Sequence, residues 1–246
     1  MKTTLIRLIF GTILFLFSLN LVYSSIEVFS NYNTELKVNS NNSIDIVKDL
    51  TIKNVYDVGI VPGQIEFKVG KGTEGSIGNI DISNVWAEDS FGNEIKSSVR
   101  KTKDYTVIIL EVYYPLLPGF EYNFDLFYTL SYEPGGIFFK SLEIPLREST
   151  IPIEQGSFKV ILPENYHFTY LSSEGENSTI EGNQASWKIK DNLPNSVSFE
   201  YSYIPIRFGS FKGSYSFWII VNVLLLLILI FEIRREIKRV RKQYEQ

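Results

Sequence analysis

A single histidine limits the catalytic chemistry open to this sequence. His167 is the only histidine among 246 residues, and the chain has no cysteine. The segment around it, NYHFTY, contains no G-x-S-x-G, H-E-x-x-H or P-loop pattern. The absence of cysteine excludes thiol catalysis and cysteine-ligated metals. We therefore predict a non-catalytic protein with no metal and no cofactor, and we expect His167 at an ordinary surface or strand-edge position.

Carboxylates are the second group that could do chemistry. Glycoside hydrolysis needs two of them, held a few ångströms apart across the scissile bond. Because strand residues i and i+2 share a face, a pair can always be suggested, and none stands out. The candidates are Asp45, Asp49, Asp57, Glu66, Asp81, Glu88, Asp89, Glu111 and Asp125. A carboxylate-dependent hydrolase stays open as one alternative function.

A short acidic loop could bind calcium. Glu88, Asp89, Asn93 and Glu94 supply oxygen ligands of the kind that Ca²⁺ prefers. Their spacing does not match an EF-hand, and a solvated hairpin turn explains them more simply.

Aromatic residues are dense in the middle of the chain. Tyr122, Phe124, Leu126 and Tyr128 alternate with a period of two, which indicates one face of a strand packed in a core. The alternative is an exposed aromatic surface that binds glycans. The residues concerned are Trp86, Tyr113, Tyr114, Phe120, Tyr122, Phe124, Phe127, Tyr128 and Tyr132.

The elements that must position these side chains are β-strands. Between residues 26 and 206, alternating segments such as SIDIVKDLTIKN and EYNFDLFYTLSY are separated by turns rich in Gly, Asn, Asp and Pro, and no amphipathic helix is evident. This pattern predicts an all-β region built of two tandem antiparallel β-sandwich-like domains, residues 25–147 and 148–207. A Gly/Ser linker, residues 208–214, follows. One continuous sandwich is the alternative.

The N-terminus has the pattern of a secretory signal peptide. An apolar stretch, residues 8–22, follows Lys2 and Arg7, and short side chains precede Ser25. We predict a signal peptide of residues 1–24, cleaved after Ser24. An uncleaved anchor is the alternative, although the apolar stretch is short for a membrane span.

The C-terminus has the pattern of a membrane anchor. We predict a transmembrane helix of residues 215–233, with Tyr215 and Trp218 at one interface, and a basic cytoplasmic tail of residues 234–246. The residues predicted to set topology and contact lipid are Arg234, Arg235, Lys238, Arg239, Arg241 and Lys242. The expected location is the cell membrane, crossed once, with the N-terminal domain outside and the C-terminus in the cytoplasm. A buried core helix is the alternative.

The net charge and the glycosylation sequons limit the kinds of partner that we expect. Apart from both termini, the chain carries a net charge of about −9, which argues against nucleic-acid binding. The sequons at Asn41 and Asn177 lie in polar, turn-like segments and are candidate glycosylation sites. We therefore expect a glycoprotein that contacts the lipid bilayer and a membrane-protein partner, with a glycan as a further candidate ligand.

Several segments resemble a known family. SIDIVKDLTIKNV, VWAEDSFGNEI, YYPLLPGFEYNFDLFYTL and FKVILPENY are similar to the ectodomain of ribophorin I, an accessory subunit of oligosaccharyltransferase. PLLPGFEY and the strand after it also resemble the N-terminal β-domain of M1 aminopeptidases, although no metal-binding motif of those enzymes is present. The resemblance implies a non-catalytic scaffold beside a membrane complex, associated with glycosylation or translocation. A cell-surface glycan-binding or envelope protein is the alternative.

Overall fold

Most of the chain between the termini folds into β-strands. The computed structural model describes residues 26–70, 80–132, 139–145, 149, 151–171, 178–190, 196–205 and 213–244. The predicted signal peptide, residues 1–24, lies outside the described residues.

Fourteen strands are described, and their alternating sequences explain them, because every second side chain enters the core. They are β1 (Glu27–Val38), β2 (Ser43–Asn54), β3 (Gly63–Gly70), β4 (Asp81–Asp89), β5 (Glu94–Ile95), β6 (Ser97–Lys101), β7 (Tyr105–Val112), β8 (Glu121–Ser131), β9 (Lys140–Pro145), β10 (Gln155–Ile161), β11 (His167–Leu171), β12 (Thr179–Glu181), β13 (Gln184–Lys190) and β14 (Ser196–Ser202). The prediction of a mostly β protein is confirmed.

The strands form three sheets. The largest has eight strands in the order β12-β13-β10-β1-β2-β8-β4-β5. Two smaller sheets have the orders β11-β14-β9 and β3-β7-β6. Buried apolar residues from all three sheets form one cluster, which includes Phe29, Phe67, Phe124, Phe158 and Phe199.

One contact departs from the predicted antiparallel pattern. β1 pairs with β10 in parallel, with Tyr32 opposite Gly156 and Leu36 opposite Val160. The eight-stranded sheet therefore contains strands from both predicted domains. The domain boundaries at residues 147 and 207 stay predictions.

A polar group is buried under the same sheet. Lys48 on β2 is 1% exposed. Its ammonium group donates to the hydroxyl of Tyr32 at 2.9 Å and lies 4.8 Å from the centre of the Tyr32 ring. A buried charge is tolerated only when polar partners replace its water, so these contacts fix the side chains between β1 and β2.

Residues Gly213–Tyr244 form the helix α1. The structure contradicts the membrane location that the sequence predicts for this segment. Within the described residues, no helix combines the length and the apolarity that crossing a membrane requires. The predicted span of residues 215–233 and the single-pass membrane location, with the N-terminal domain outside and the tail in the cytoplasm, are therefore not supported.

The close approach of β1 and β10 predicts the effect of a substitution. A Cβ atom at Gly156 would collide with the backbone carbonyl oxygen of Tyr32. We expect Gly156→Ala to lower the free energy of unfolding by about 1–3 kcal/mol, because the two strands must separate to admit the methyl group. Urea denaturation measures this. In Gly59→Ala, the matched control, the new Cβ lies 3.7 Å from the oxygen of Leu116, an ordinary contact, and equal effects of the two changes would contradict the prediction.

Candidate functional site

Two loops meet at one end of the eight-stranded sheet. Residues 55–62 join β2 to β3, and residues 113–120 join β7 to β8. Ile60 and Leu116 exchange backbone hydrogen bonds of 2.9 and 2.8 Å, so the loops pair like two short strands. Leu116 is 2% exposed and anchors its loop in the core.

Asn54 holds both loops in place. Its side-chain amide donates to the carbonyl oxygens of Val58 at 2.8 Å and Leu116 at 2.9 Å, and its Oδ1 accepts from the backbone N–H of Tyr56 at 2.9 Å. Its backbone oxygen accepts from Gly119 at 3.0 Å. Asn54 is fully buried, at 0% exposure. The loops are therefore fixed by a buried hydrogen-bond network.

The outward side chains of these loops are unusually apolar. Eight large apolar residues are between 44% and 61% exposed, and we call them the apolar loop surface. Monomeric soluble proteins rarely expose many large apolar groups together, and such patches mark interaction sites. The residues are Val55, Tyr56, Val58, Val61, Tyr113, Tyr114, Leu117 and Phe120.

The β4–β5 hairpin lies beside the start of β8. Ser90 donates its backbone N–H to the oxygen of Asn123 at 3.2 Å, and Tyr122 donates its hydroxyl to Asp89 at 3.4 Å. The ring of Tyr122 stacks on that of Tyr114, with 5.4 Å between centres. Burial, with the Asp89 carboxylate nearby, raises the pKa of Tyr122 to about 12. Phe91, at the hairpin tip, is 83% exposed.

The calcium-loop alternative does not fit this hairpin. One carboxylate oxygen of Asp89 accepts the backbone N–H groups of Phe91 and Asn93, each at 2.9 Å. The other accepts the side-chain amide of Asn93 at 2.9 Å. These bonds, that of the Asn93 side chain first, hold the pKa of Asp89 below its ordinary value. Both oxygens of the Asp89 carboxylate therefore already accept hydrogen bonds within the turn. The described residues contain no group of three or more His, Asp or Glu side chains arranged for a metal.

The outer face of the eight-stranded sheet brings three predicted carboxylates into one row. Asp49 on β2 lies opposite Asp125 on β8, and Asp125 lies opposite Glu88 on β4. Burial, followed by the facing carboxylates of Asp49 and Glu88, raises the pKa of Asp125. In the next row, Trp86 stacks on Phe127, with ring centres 3.9 Å apart and planes at 7°.

The remaining predicted residues lie apart from these features. His167 is exposed at the start of β11. Asn41 is exposed in the turn between β1 and β2, where its Oδ1 accepts the hydroxyl of Ser43 at 2.7 Å. Asn177 lies outside the described residues. Glycosylation of Asn41 and Asn177 stays a prediction.

The basic residues lie on α1. Arg234, Arg235, Lys238 and Arg239 are exposed. Arg235 pairs with Glu232 at 3.5 Å, and Arg239 pairs with Glu236 at 2.7 Å. Arg241 and Lys242 belong to the same helix, but their side chains lie outside the described residues. The predicted topology and lipid-contact role of the six residues stays a prediction.

Comparison with known proteins yields structural neighbours only. The chain matches no protein-family model and no curated protein. A proposed nutrient-binding protein from Legionella pneumophila has a TM-score of 0.48 at 8% identity, with 74% of this chain and 68% of that one covered. An M1 zinc metallopeptidase from Deinococcus radiodurans has a TM-score of 0.40 at 12% identity, and the match covers 72% of this chain and 42% of the peptidase. The predicted likeness to M1 aminopeptidases thus reappears among the neighbours, whereas likeness to ribophorin I is not shown.

The network around Asn54 predicts a large effect of its removal. We expect Asn54→Ala to lower the free energy of unfolding by about 2–4 kcal/mol, because three backbone groups, one buried and two part-buried, lose their partner. Amide hydrogen exchange at Ile60, Leu116 and Gly119 should accelerate. Urea denaturation and exchange measure the two effects. Asn123→Ala, at an exposed position, should stay within about 0.5 kcal/mol of the parent, and an equal loss there would argue against the network.

The carboxylate row predicts how stability depends on pH. Because the pKa of Asp125 is raised above its ordinary 3.8, the folded protein holds this proton more tightly than the unfolded chain does. The contribution of Asp125 is therefore fully favourable below pH 3.8 and is lost as the pH rises through the folded value.

Asp125→Asn should remove this loss. We expect it to raise the free energy of unfolding at neutral pH by about 0.2–1 kcal/mol, since like charges face each other across the strands. The gain should vanish near pH 3. Urea denaturation at both pH values tests this, and a gain that is independent of pH would refute the assignment to charge.

Proposed function

We propose that this protein is a non-catalytic scaffold that binds other proteins through the apolar loop surface. The observation that carries the proposal is the exposure of eight large apolar side chains on two loops that a buried network holds in place. Loops that were free to collapse would cover these groups. Because the loops are already ordered, the apolar side chains stay exposed, and binding a partner carries no entropy cost for ordering the loops.

The composition of the surface indicates the kind of partner. Four of the eight residues of the apolar loop surface are aromatic, namely Tyr56, Tyr113, Tyr114 and Phe120. Aromatic residues are enriched at the cores of protein interfaces, whereas charged residues are depleted there. The only charged residue in the two loops is Asp57. The expected occupant is therefore an apolar or aromatic segment of another protein.

The fold that we propose for this scaffold is a pair of tandem sandwich-like units. The two smaller sheets would each cover part of the inner face of the eight-stranded sheet. Support comes from the apolar side chains that each smaller sheet buries, such as Phe67 on β3 and Phe199 on β14. The single buried cluster and the shared eight-stranded sheet favour the alternative of one continuous sandwich. In this arrangement the apolar loop surface lies at the junction between β2, β3, β7 and β8.

A glycan-binding surface is the second candidate. It is supported by the stacked rings of Tyr114 and Tyr122, whose planes differ by 14°, and by the exposure of Tyr56 and Tyr113. Flat aromatic faces can support sugar rings. Binding on a glycan array that the loop substitutions below abolish would favour this candidate.

The proposal is tested by removing apolar surface without disturbing the fold. The double variant Leu117→Ser and Phe120→Ser changes two side chains that are 58% and 61% exposed. Each exposed substitution should alter unfolding by about 0.5 kcal/mol or less. A photo-crosslinking amino acid then replaces Tyr113. The parent chain should form a discrete crosslinked adduct with a partner protein, and the double variant should form much less of this adduct.

A matched control removes apolar surface elsewhere. Val99 on β6 is 40% exposed and lies outside both loops, so Val99→Ser should keep the adduct. No adduct in the parent, or equal loss in the control, would contradict the proposal.

A further inference from the structure

A second exposed surface lies on the outer face of the eight-stranded sheet, away from the paired loops. Phe127 on β8 and Trp86 on β4 face each other across the strands and stack at 3.9 Å. Trp86 is 44% exposed. Such a large ring pair on a solvated sheet face has no role in the core, because the inner face is occupied by Leu126 and Ala87, both at 0% exposure.

Two carboxylates adjoin this ring pair. Asp125 lies two residues before Phe127, and Glu88 lies two residues after Trp86, so all four side chains share one face. Directly opposed Cβ atoms lie about 5 Å apart, and residues i and i+2 about 7 Å apart. The two rings and the two carboxylates therefore occupy the corners of a small rectangle, which we call the Trp86 face.

The carboxylates of the Trp86 face have no partner among the residues that the structure describes. Asp49, the next carboxylate in the row, accepts side-chain amides of Asn31 at 3.2 Å and Asn33 at 3.1 Å. The described part of the protein offers Asp125 and Glu88 no hydrogen bond and no ion pair. Like charges directly opposed on neighbouring strands destabilise a sheet. An arrangement that costs stability without a visible structural gain is typical of a functional surface.

We propose that the Trp86 face binds an arginine side chain presented by a basic segment of a partner protein. Charge complementarity selects a cation, and the geometry selects arginine. A guanidinium group is planar, stacks on aromatic rings and donates pairs of hydrogen bonds to carboxylates. Here the exposed part of the Trp86 ring, which stacks on Phe127 from one side, offers the aromatic contact, and Asp125 and Glu88 offer the acceptors. A lysine could neutralise the charge but could not match both features.

This surface differs from the apolar loop surface in chemistry and in location. Binding at the Trp86 face depends on charge, so it weakens as salt screens the carboxylates, whereas apolar contact does not. The proposal is therefore independent of the scaffold function proposed above, and either can fail alone.

The test uses the full chain and two labelled nine-residue peptides, one alternating arginine with serine and the other alternating lysine with serine. Fluorescence anisotropy measures both affinities at physiological salt. The parent should bind the arginine peptide more tightly than the lysine peptide. Asp125→Asn combined with Glu88→Gln should weaken arginine-peptide binding about tenfold or more, as expected for loss of charge-assisted hydrogen bonds.

Matched variants separate the site from general attraction between opposite charges. Glu164→Gln combined with Glu181→Gln removes the same charge at two exposed positions elsewhere and should change binding less than about twofold, in contrast to the tenfold loss at the site. Trp86→Ala should abolish the preference for arginine over lysine, and Trp86→Phe, which keeps a ring, should retain part of it. Thermal unfolding of each variant confirms that it is folded.

Three results would overturn the proposal. Equal losses in the two charge-neutralised double variants would show attraction to the whole acidic protein. Equal binding of the two peptides by the parent would remove the role of the guanidinium group. A neutral oligosaccharide that displaces the arginine peptide, and whose own binding survives Asp125→Asn with Glu88→Gln, would assign the Trp86 face to a glycan.

Discussion

The parallel pairing of β1 with β10 is the contact on which the rest of the structure depends. β1 lies inside the eight-stranded sheet, with β2 on one side and β10 on the other. The pairing continues before β10, where Phe29 and Ile153 form a bridge and Phe29 accepts the N–H of Glu154 at 2.9 Å. Without it, β10, β13 and β12 would lose their connection to the other five strands. Gly156 permits the close approach because it has no side chain to meet the Tyr32 backbone.

The buried polar groups define how the layers fit together. The hydroxyls of Tyr132, which follows β8, and Tyr201 on β14 lie 2.7 Å apart in the core and link two sheets. Within the sheet β11-β14-β9, the Thr169 hydroxyl donates to the Glu200 carboxylate at 2.8 Å. Burial raises the pKa of both tyrosines, so they stay neutral. Apolar packing alone tolerates small shifts between layers, whereas a buried hydrogen bond is satisfied in only one arrangement. The sheets thus form a rigid support for the surfaces that they carry.

The two exposed surfaces use that support in different ways. The apolar loop surface depends on the buried amide of Asn54, which bonds both loops and adds to the backbone pairing of Ile60 with Leu116. The Trp86 face needs no loop, because the register of β8 with β4 places its four side chains directly. One surface offers apolar area and the other offers charge beside aromatic rings.

The strands themselves were predictable from the sequence because their signals are local. The alternation in β2 and β8 and the turn at Asp89–Asn93 depend on neighbouring residues, and the structure confirms them. The prediction of a membrane span at residues 215–233 was also local, because it counted apolar residues along the sequence. Among the described residues, no helix has the length and apolarity that a membrane span needs, and that prediction was wrong.

Only the tertiary structure decided which strands became neighbours. No local signal places Asp125 between Asp49 and Glu88, because those residues are separated by dozens of positions and meet only through strand register. The same holds for Asn54, whose partner Leu116 is 62 residues away. The sequence by itself determined that the chain forms amphipathic strands and that it has one histidine and no cysteine. The pairing of those strands, and with it every candidate surface, was decided by long-range packing, which minimises exposed apolar area over the whole chain.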